Sequence, residues 1–315
     1  MLQKLLGLPI NASADGGGID LLNGTMHLLM AILFVGWSLM FIFILFRFNR
    51  RRHPRADHEG VRTHASSYVE AVVAVLEIIL LVTLSIPFWS KKVSAFPTDA
   101  QNPVRVRVIA QQFAWNIQYP GPDGKFGRTD IKLVSDDNPI GLDRKGDGKD
   151  DVVELNQLHL PVNRPAIIEI TTKDVVHSFF LPLLRVKQDA IPGMMIPIHF
   201  TPTDTTEHIR QQMTETITLP VRNRNLELYI TTEDLKDKDG NVIVKKGAML
   251  TASAMKKVND AGITALTIAP FNPTEIACAQ LCGINHFKMK GYLTVETEEQ
   301  FAKWYAQEVE DQKGE

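Results

Sequence analysis

The chain has 315 residues, of which 44% are hydrophobic and 22% are charged, and its formal net charge is -2 at pH 7. This composition excludes a disordered or collagen-like protein, and the near-neutral charge leaves no global basic field for nucleic acid. The only two cysteines, Cys278 and Cys282, exclude a scaffold held by several disulfides.

Two apolar segments near the N-terminus predict a transmembrane hairpin. Residues 21–46 contain no Asp, Glu, Lys or Arg, and a second apolar run covers residues 67–90. A helix that crosses a bilayer needs about 20 apolar residues, and each run provides them. We expect helices at about 26–48 and 67–90, within an N-terminal part that covers residues 1–95. A cleaved signal peptide is the rival interpretation, but the apolar stretch at its expected place is too short.

The loop between these segments is rich in arginine. It contains Arg47, Arg50, Arg51, Arg52, Arg55 and Arg62, against Asp57 and Glu59. Short loops with an excess of basic residues stay in the cytoplasm. We therefore expect a multi-pass protein of the bacterial inner membrane, with both termini and everything after Lys91 on the outer, periplasmic side.

The second apolar segment carries two acids, Glu70 and Glu77, which are seven residues apart and so share one helix face. An ionisable group inside a membrane helix usually faces protein or water. For Glu70 the alternative is a position near the cytoplasmic interface, where the side chain reaches the headgroups.

Residues 96–315 have the pattern of many short strands separated by turn residues, which predicts a β-sandwich or barrel. The predicted strands are 104–109, 113–119, 152–159, 166–171, 195–200 and 291–295. A closing helix at 297–309 presents Phe301, Trp304 and Tyr305 on one side. We also expect an inserted α+β subdomain at about 205–270, with a ββαβ unit over 226–270.

The acidic, glycine-containing segment Asp143–Asp151 resembles a calcium loop in composition. Its spacing does not match an EF-hand, which needs acids at alternating positions and a later glutamate. We therefore expect a solvated loop here and not a metal site.

The most informative stretch runs from Cys278 to Met289 and places two thiols, one imidazole and one thioether within twelve residues. Soft sulfur ligands combined with imidazole favour copper. The spacing differs from the Cys-x-x-Cys pairs of structural zinc sites, and a mononuclear blue-copper site needs only one cysteine. Two thiolates can instead bridge two copper ions, each of which then needs a terminal histidine.

One such histidine is His286, within the stretch itself. The best candidate for the second is His177, while His159, His199 and His208 are alternatives in less distinctive settings. A disulfide between the two cysteines is the competing interpretation, because the outer compartment is oxidising.

With these motifs in place, the sequence resembles subunit II of the haem–copper cytochrome c oxidases. The binuclear CuA loop of that family has the form Cys-x-Glu-x-Cys-Gly-x-x-His-x-x-Met, and residues 278–289 match it except at the Glu. The family's upstream Asp-x-x-His motif matches Asp174 and His177. Residues 184–193 look like the segment that follows it, and residues 112–119 look like the aromatic strand near the copper.

The resemblance implies a membrane hairpin followed by a cupredoxin-like sandwich that holds two copper ions. The implied copper ligands are His177, Cys278, the carbonyl of Gln280, Cys282, His286 and Met289. The family's Glu also helps to hold magnesium against subunit I, and uncharged Gln280 puts that role in doubt. The resemblance further suggests electron transfer through Phe113, Trp115 and Tyr119, for which packing is the competing role, and a proton path at Glu70.

In function, the resemblance implies a subunit that accepts electrons from cytochrome c and passes them to subunit I, which reduces oxygen to water and pumps protons. No Cys-x-x-Cys-His haem-attachment motif is present, so the donor is expected to be a separate protein. Two alternatives stay open: the CuA subunit of a nitric oxide reductase, and a non-catalytic, membrane-anchored copper-binding or delivery protein.

Overall fold

The computed structural model describes residues 6–55, 58–59, 63–221 and 225–312. The chain divides into two compact units, one formed by residues 1–8 and 16–96 and the other by residues 9–15 and 97–315. Asp57 and Arg62 of the predicted cytoplasmic loop lie outside the described residues.

The N-terminal unit contains two helical rods, and both are long and apolar enough to cross a membrane. The first, α1, spans Gly16–Arg47 and has 32 residues. It begins ten residues before the predicted start at residue 26. The apolar run marks only the part of the helix suited to hydrocarbon, whereas backbone hydrogen bonding continues through the polar residues before it.

The second rod covers Ala65–Ser94 and is longer than the predicted 67–90. It consists of α2, Ala65–Leu80, a π-helical turn, Leu81–Ser85, and α3, Ile86–Ser94. Pro87 stands in the first turn of α3 and has no N–H to donate to the preceding turn. The π-helical turn lies where this hydrogen bond is missing, as such turns often do.

The C-terminal unit is built on two five-stranded sheets. Strands of the first sheet are β1 Val104–Gln111, β2 Ala114–Tyr119, β3 Val152–Leu155, β5 Ala166–Thr172 and β8 Ile196–Phe200. Strands of the second are β4 Gln157–Pro161, β6 His177–Leu181, β7 Val186–Ala190, β14 Glu275–Cys278 and β15 Lys290–Glu296. The first sheet has the order β3-β2-β1-β5-β8 and the second has the order β4-β15-β14-β6-β7.

Side chains of both sheets meet in one apolar core, because alternate residues of each strand point inward. Trp115 and Ile168 come from the first sheet, and Leu158 and Phe179 from the second, and all four are completely buried. The predicted fold class, a helical hairpin followed by a cupredoxin-like β-sandwich, is confirmed.

The single strand predicted over residues 152–159 is wrong, because Asn156 divides it between the two sheets. Asn156 adopts φ 61°, which ends the ladder of β3, and its side chain accepts a hydrogen bond from the N–H of Trp115 at 2.8 Å. Asparagine tolerates this left-handed conformation better than most residues. The short β4 that follows pairs with β15 in the other sheet.

Between β8 and β14, the chain forms a smaller α+β unit with a hydrophobic core of its own. It is preceded by the short helix α4, Thr206–Gln212, whose Ile209 packs into the main core. The elements of the smaller unit are β9 Glu215–Thr218, β10 Tyr229–Thr231, β11 Leu235–Lys236, β12 Val242–Val244, α5 Ala252–Asp260 and β13 Ala265–Pro270. Leu250, Val258 and Ile268 are fully buried in that core. The chain leaves β13 and turns directly into β14, which ends at the predicted metal loop.

The C-terminal helix α6 spans Glu298–Asp311 and begins with the capping box of Thr297 and Gln300. Phe301 is buried in the main core, and Trp304 and Tyr305 pack against it. This packing confirms the predicted apolar side of the helix.

Candidate metal centre

Two neighbouring strands of the second sheet bring the predicted ligands to one end of the sandwich. β6 and β14 are antiparallel, and Cys278 lies opposite Phe179. The start of β6, at His177, and the end of β14, at Cys278, therefore meet at the same edge. The loop that follows Cys278 returns into β15 through a 3₁₀ turn that contains His286.

The sulfur atoms and the ring nitrogens lie within contact distance of one another. Sγ of Cys278 is 3.8 Å from Nδ1 of His177 and 3.2 Å from the carbonyl oxygen of Gln280. Sγ of Cys282 is 3.4 Å from Nδ1 of His286 and 3.7 Å from Sδ of Met289. The ligand atoms of His177, Cys278 and Cys282 all lie within 4.8 Å of each other.

Both cysteines are free thiols, and their sulfurs are 3.9 Å apart. A disulfide would hold the two sulfurs at about 2.05 Å. The disulfide interpretation is therefore not the arrangement seen here, where each sulfur has its own imidazole neighbour.

The cluster is shielded from solvent on its inner side. His177 is completely buried, and Met289 and Cys282 are 1% and 4% exposed. The outer side is formed by exposed apolar residues of the loop, among them Leu281, Ile284 and Phe287. Two thiols, two imidazoles and a thioether in this setting form a soft donor set, which fits copper.

Asp174 orients the ring of His177. Its Oδ1 lies 2.8 Å from Nε2 of His177, which leaves Nδ1 of the ring facing Cys278. Burial opposes the charged forms of both groups, but the hydrogen bonds of Asp174, first to the N–H of Gln112 and then to His177, lower the pKa of Asp174. Burial likewise opposes protonation of His177, yet its contacts with Cys278 and Asp174 raise its pKa.

The two thiols have opposite pKa shifts. Burial alone would raise the pKa of Cys278, but hydrogen bonding to His177 and to the backbone lowers it to about 6. Burial and the neighbouring negative charge of Cys278 raise the pKa of Cys282 to about 11. A metal ion that deprotonates both sulfurs would remove this asymmetry, because its positive charge stabilises both thiolates.

Gln112 was not among the predicted site residues, although it ties two parts of the site together. Its side-chain amide donates to the carbonyl of Cys282 at 2.5 Å, and its backbone N–H donates to Oδ2 of Asp174 at 2.7 Å. No sequence pattern marks this role, because the partners are 170 and 62 residues away.

Two of the three predicted aromatic residues adjoin the cluster. A side chain at Gly283, in the metal loop, would come within 3.1 Å of the Phe113 ring. The ring of Trp115 meets that of His177 edge-on, with 6.3 Å between centroids. Tyr119 lies four residues further along β2, where its ring packs against Trp304 and its hydroxyl hydrogen-bonds the backbone of His159.

The remaining candidates occupy other surroundings. His159 pairs with Glu296 and stacks on Trp304, and His208 pairs with Asp204. His199 lies on β8 of the first sheet, opposite Ile167. Of the four candidate histidines, only His177 therefore has a contact to Cys278 or Cys282 among the described residues.

Glu70 belongs to the N-terminal unit and is exposed there. It lines an apolar groove between the two helical rods, together with Trp37 and Ser66. Its assignment to a proton path stays a prediction.

The family model for the periplasmic domain of cytochrome c oxidase subunit II matches residues 104–218. This range includes all five strands of the first sheet and His177, and it ends before the cysteine loop. The ligand roles of residues 278–289 therefore remain proposals.

Among curated proteins, the chain is 30% identical to the alternative cytochrome c oxidase subunit 2 of Bradyrhizobium diazoefficiens, over 56% of this chain and 62% of the relative. It is 25% identical to the cytochrome c oxidase subunit 2 of Cereibacter sphaeroides, over 62% of this chain and 66% of the relative. The matched regions thus span less than two thirds of each of these relatives.

Among solved structures, the periplasmic domain of subunit II of the Bradyrhizobium japonicum cytochrome oxidase matches with 18% identity and a TM-score of 0.33. That match covers 66% of this chain and 94% of the solved chain. The family model and the curated relatives confirm the resemblance predicted from the sequence: this chain is similar to cytochrome c oxidase subunit II, and residues 104–218 match that subunit's periplasmic domain.

Proposed function

We propose that the chain is the electron-accepting subunit of a cytochrome c oxidase and that its cysteine loop holds a binuclear copper centre. The observation that carries the proposal is the convergence of two separate thiols, each with its own imidazole, at one end of the sandwich. Copper bound there supplies one-electron redox chemistry.

The residues of this chain would bind and orient the two ions. Cys278 and Cys282 would hold the two ions through their sulfurs, together with the ring nitrogens of His177 and His286. Met289 and the carbonyl of Gln280 complete the donor set. The side chain of Gln280 is exposed and uncharged, so magnesium is not part of the proposal.

The sandwich would keep this geometry fixed when an electron arrives. His177 and Cys278 lie on hydrogen-bonded neighbouring strands, and Gln112 ties the loop to Asp174. A rigid donor set limits reorganisation, which favours rapid electron transfer. Phe113 and Trp115 lie beside the site, so we propose that they form part of the electron-transfer path. Tyr119 is further along β2 and is not included in this path.

The proposed setting is the bacterial inner membrane, with the copper domain outside. The Arg-rich connection between the helical rods supports this orientation through the positive-inside rule. The partners would be a haem–copper subunit I and an external cytochrome c, and Glu70 would lie at the mouth of a proton path in the assembled oxidase.

The test is to purify the full chain from membranes with its companions and to measure copper, spin state and donor-dependent turnover together. We expect two copper ions per chain and a mixed-valence signal. The Cys278→Ser variant should lose the copper ions and the mixed-valence signal and should still insert into the membrane. One copper per chain would contradict the proposal.

A methionine pair provides a matched comparison. Met289→Leu removes a buried thioether beside Cys282, while Met194→Leu removes one that is 51% exposed. Only the first should alter the copper spectrum. The companion subunit separates the alternatives, because a nitric oxide reductase would bring a different catalytic subunit and a delivery protein would bring none.

A further inference from the structure

A second, oxygen-lined site lies in the acidic connection between β2 and β3, away from the cysteine loop in sequence. The segment 120–151 contains eight aspartates. The expectation of a solvated loop is wrong for its end, because Asp151 is only 1% exposed and Leu142 is equally buried. The loop packs Ile140 and Leu142 against Ile109 of the sheet, which draws the end of the acidic stretch inward.

Asp151 is a buried carboxylate that is held by three donors. It accepts hydrogen bonds from the side-chain amide of Gln118 at 2.5 Å and from the N–H groups of Gly127 and Gly121 at 2.8 Å and 3.3 Å. These contacts place the carboxylate firmly, yet burial still raises its pKa above the ordinary range, with a further contribution from Asp150. No basic side chain pairs with the carboxylate itself among the described contacts, since Arg144 donates to the main-chain oxygen of Asp151.

Two buried oxygens, one on each of two residues that adjoin Asp151, have no hydrogen-bond partner among the described residues. One is Oε1 of Gln118, a residue that is completely buried, and the other is Oδ1 of Asp150. The amide of Gln118 contacts Asp151, so its oxygen lies on the same side of the sheet as that carboxylate. A buried oxygen without a partner is costly, and an ion or an ordered water bound at the site would remove that cost.

Both carboxylates converge on Gly121. A side-chain carbon added at Gly121 would lie 2.3 Å from Cγ of Asp150, and the N–H of Gly121 is 3.3 Å from Oδ1 of Asp151. Tyr305 closes the site from the C-terminal helix, because its hydroxyl donates to the carbonyl of Pro120. The pKa of Tyr305 is raised to about 12, first by burial and then by the charges of Asp151, Asp150 and Asp123.

We propose that Gln118, Asp150 and Asp151 form a calcium-binding site beneath the 120–151 segment. The donors are carboxylate and amide oxygens, which are the hard ligands that Ca²⁺ prefers, and water completes its coordination. A divalent cation would satisfy the two unpartnered oxygens and compensate the adjacent negative charges. By fixing the loop on the sheet and the sheet on α6, the ion would stabilise the domain rather than take part in electron transfer.

The experiment measures Ca²⁺ binding and thermal unfolding of the full chain in detergent, after treatment with a chelator. We expect stoichiometric uptake of CaCl₂ at millimolar concentration or below and a rise of several degrees in the unfolding temperature, because ligand binding stabilises the folded state. Asp150→Asn should lose at least tenfold in affinity and most of the thermal shift. This substitution keeps the size of the side chain and leaves the hydrogen bonds of Asp151 in place.

The control is Asp147→Asn, in the same segment, which removes an exposed carboxylate that pairs with Arg128. It should bind Ca²⁺ as the unaltered chain does. The proposal is overturned if the unaltered chain takes up no Ca²⁺ at millimolar concentration, if Asp150→Asn binds it equally well, or if Asp147→Asn weakens binding to the same extent. Copper content, measured in the same samples, should not change in either variant.

Discussion

The carboxylate of Asp174 lies 2.8 Å from Nε2 of His177, and it turns the other nitrogen of the ring toward Cys278. Groups that orient a metal-binding histidine in this way usually contribute 10–100-fold to metal affinity. Asp174 is also the acceptor for the backbone of Gln112, so one carboxylate orders both the ring and the neighbouring turn.

The first prediction concerns Asp174→Asn. The substitution keeps an oxygen near the ring but removes the charge, so copper affinity should fall by about tenfold or more. Competition with a chromophoric chelator measures the affinity. Asp189→Asn removes an exposed carboxylate from β7 and should have no such effect. Equal affinity in Asp174→Asn and the unaltered chain would contradict the orienting role.

The second prediction concerns the thiols of the copper-free protein. The pKa of Cys278 is about 6 and that of Cys282 about 11, so at pH 7 only Cys278 carries much thiolate. Because thiolate is the nucleophile, iodoacetamide should modify Cys278 at least tenfold faster than Cys282. Peptide mass spectrometry after timed quenching measures both rates in one sample.

His177→Ala provides the mechanistic control for this reactivity. The hydrogen bond between Cys278 and His177 is the largest effect that lowers the pKa of Cys278, so its loss should slow modification of Cys278 at pH 7. His208→Ala removes an imidazole that pairs with Asp204 instead and should leave the rate unchanged. Faster labelling of Cys282 in the unaltered chain would refute the assignment.

The third prediction concerns Gly283, which follows the second cysteine. Its φ is 141°, and a side-chain carbon would lie 2.7 Å from Nε2 of Gln112 and 3.1 Å from the Phe113 ring. Gly283→Ala should therefore displace Gln112 and Phe113 from the loop and lower the stability of the domain by about 1–3 kcal/mol. We expect weaker copper binding together with a lower unfolding temperature.

Gly193→Ala is the matched control, because Gly193 also has positive φ, 77°, but has open space around it. The Gly193→Ala variant should have the backbone strain of positive φ but no steric clash of its new methyl group with neighbouring side chains. If both variants retain copper equally well, close packing against Gln112 and Phe113 is not what holds the loop.

The sequence alone predicted the helical hairpin, the β-sandwich and the cysteine loop, because each has a local signature. Long apolar runs mark the helices, alternation marks strands such as β1, and the spacing from Cys278 to Met289 marks the candidate ligands. These signals depend on neighbours in the chain, so no tertiary knowledge was needed to find them.

Features that depend on distant partners could not be predicted. The strands β6 and β14, which position His177 and Cys278, are only five and four residues long and have no clear alternation. Gln112 acts on Cys282 across 170 residues. Likewise the burial of Asp151 follows from the packing of Leu142 on the sheet, whereas its sequence context is one of exposed, charged residues.

The fourth prediction concerns the carboxylates of Glu154 on β3 and Glu308 on α6, which lie close together. Burial, followed by the neighbouring charge of Glu308, raises the pKa of Glu154 from 4.5 to about 7. Gln312 donates to both carboxylates, at 3.3 Å and 3.4 Å. Between pH 4.5 and 7 Glu154 of the folded protein therefore holds a proton that the unfolded chain has released, and the free energy of unfolding contributed by Glu154 falls as pH rises.

Glu154→Gln removes the titration and keeps the shape. At pH 8 the variant should be more stable than the unaltered protein by about 1–2 kcal/mol. This value is smaller than the free energy equivalent to the full pKa shift of Glu154, because the pair is partly exposed and solvent screens its charges. At pH 4 the difference should disappear, because Glu154 is then protonated in the folded and the unfolded state. Thermal unfolding at the two pH values measures both differences.

The control is Glu299→Gln, which removes a charge from the exposed first turn of α6, the helix that carries Glu308. It should not reproduce this pattern, since Glu154 and Glu308 stay in place. A stability difference of the same size at pH 4 and pH 8 would show that the effect of Glu154→Gln comes from packing and not from the proton that Glu154 holds.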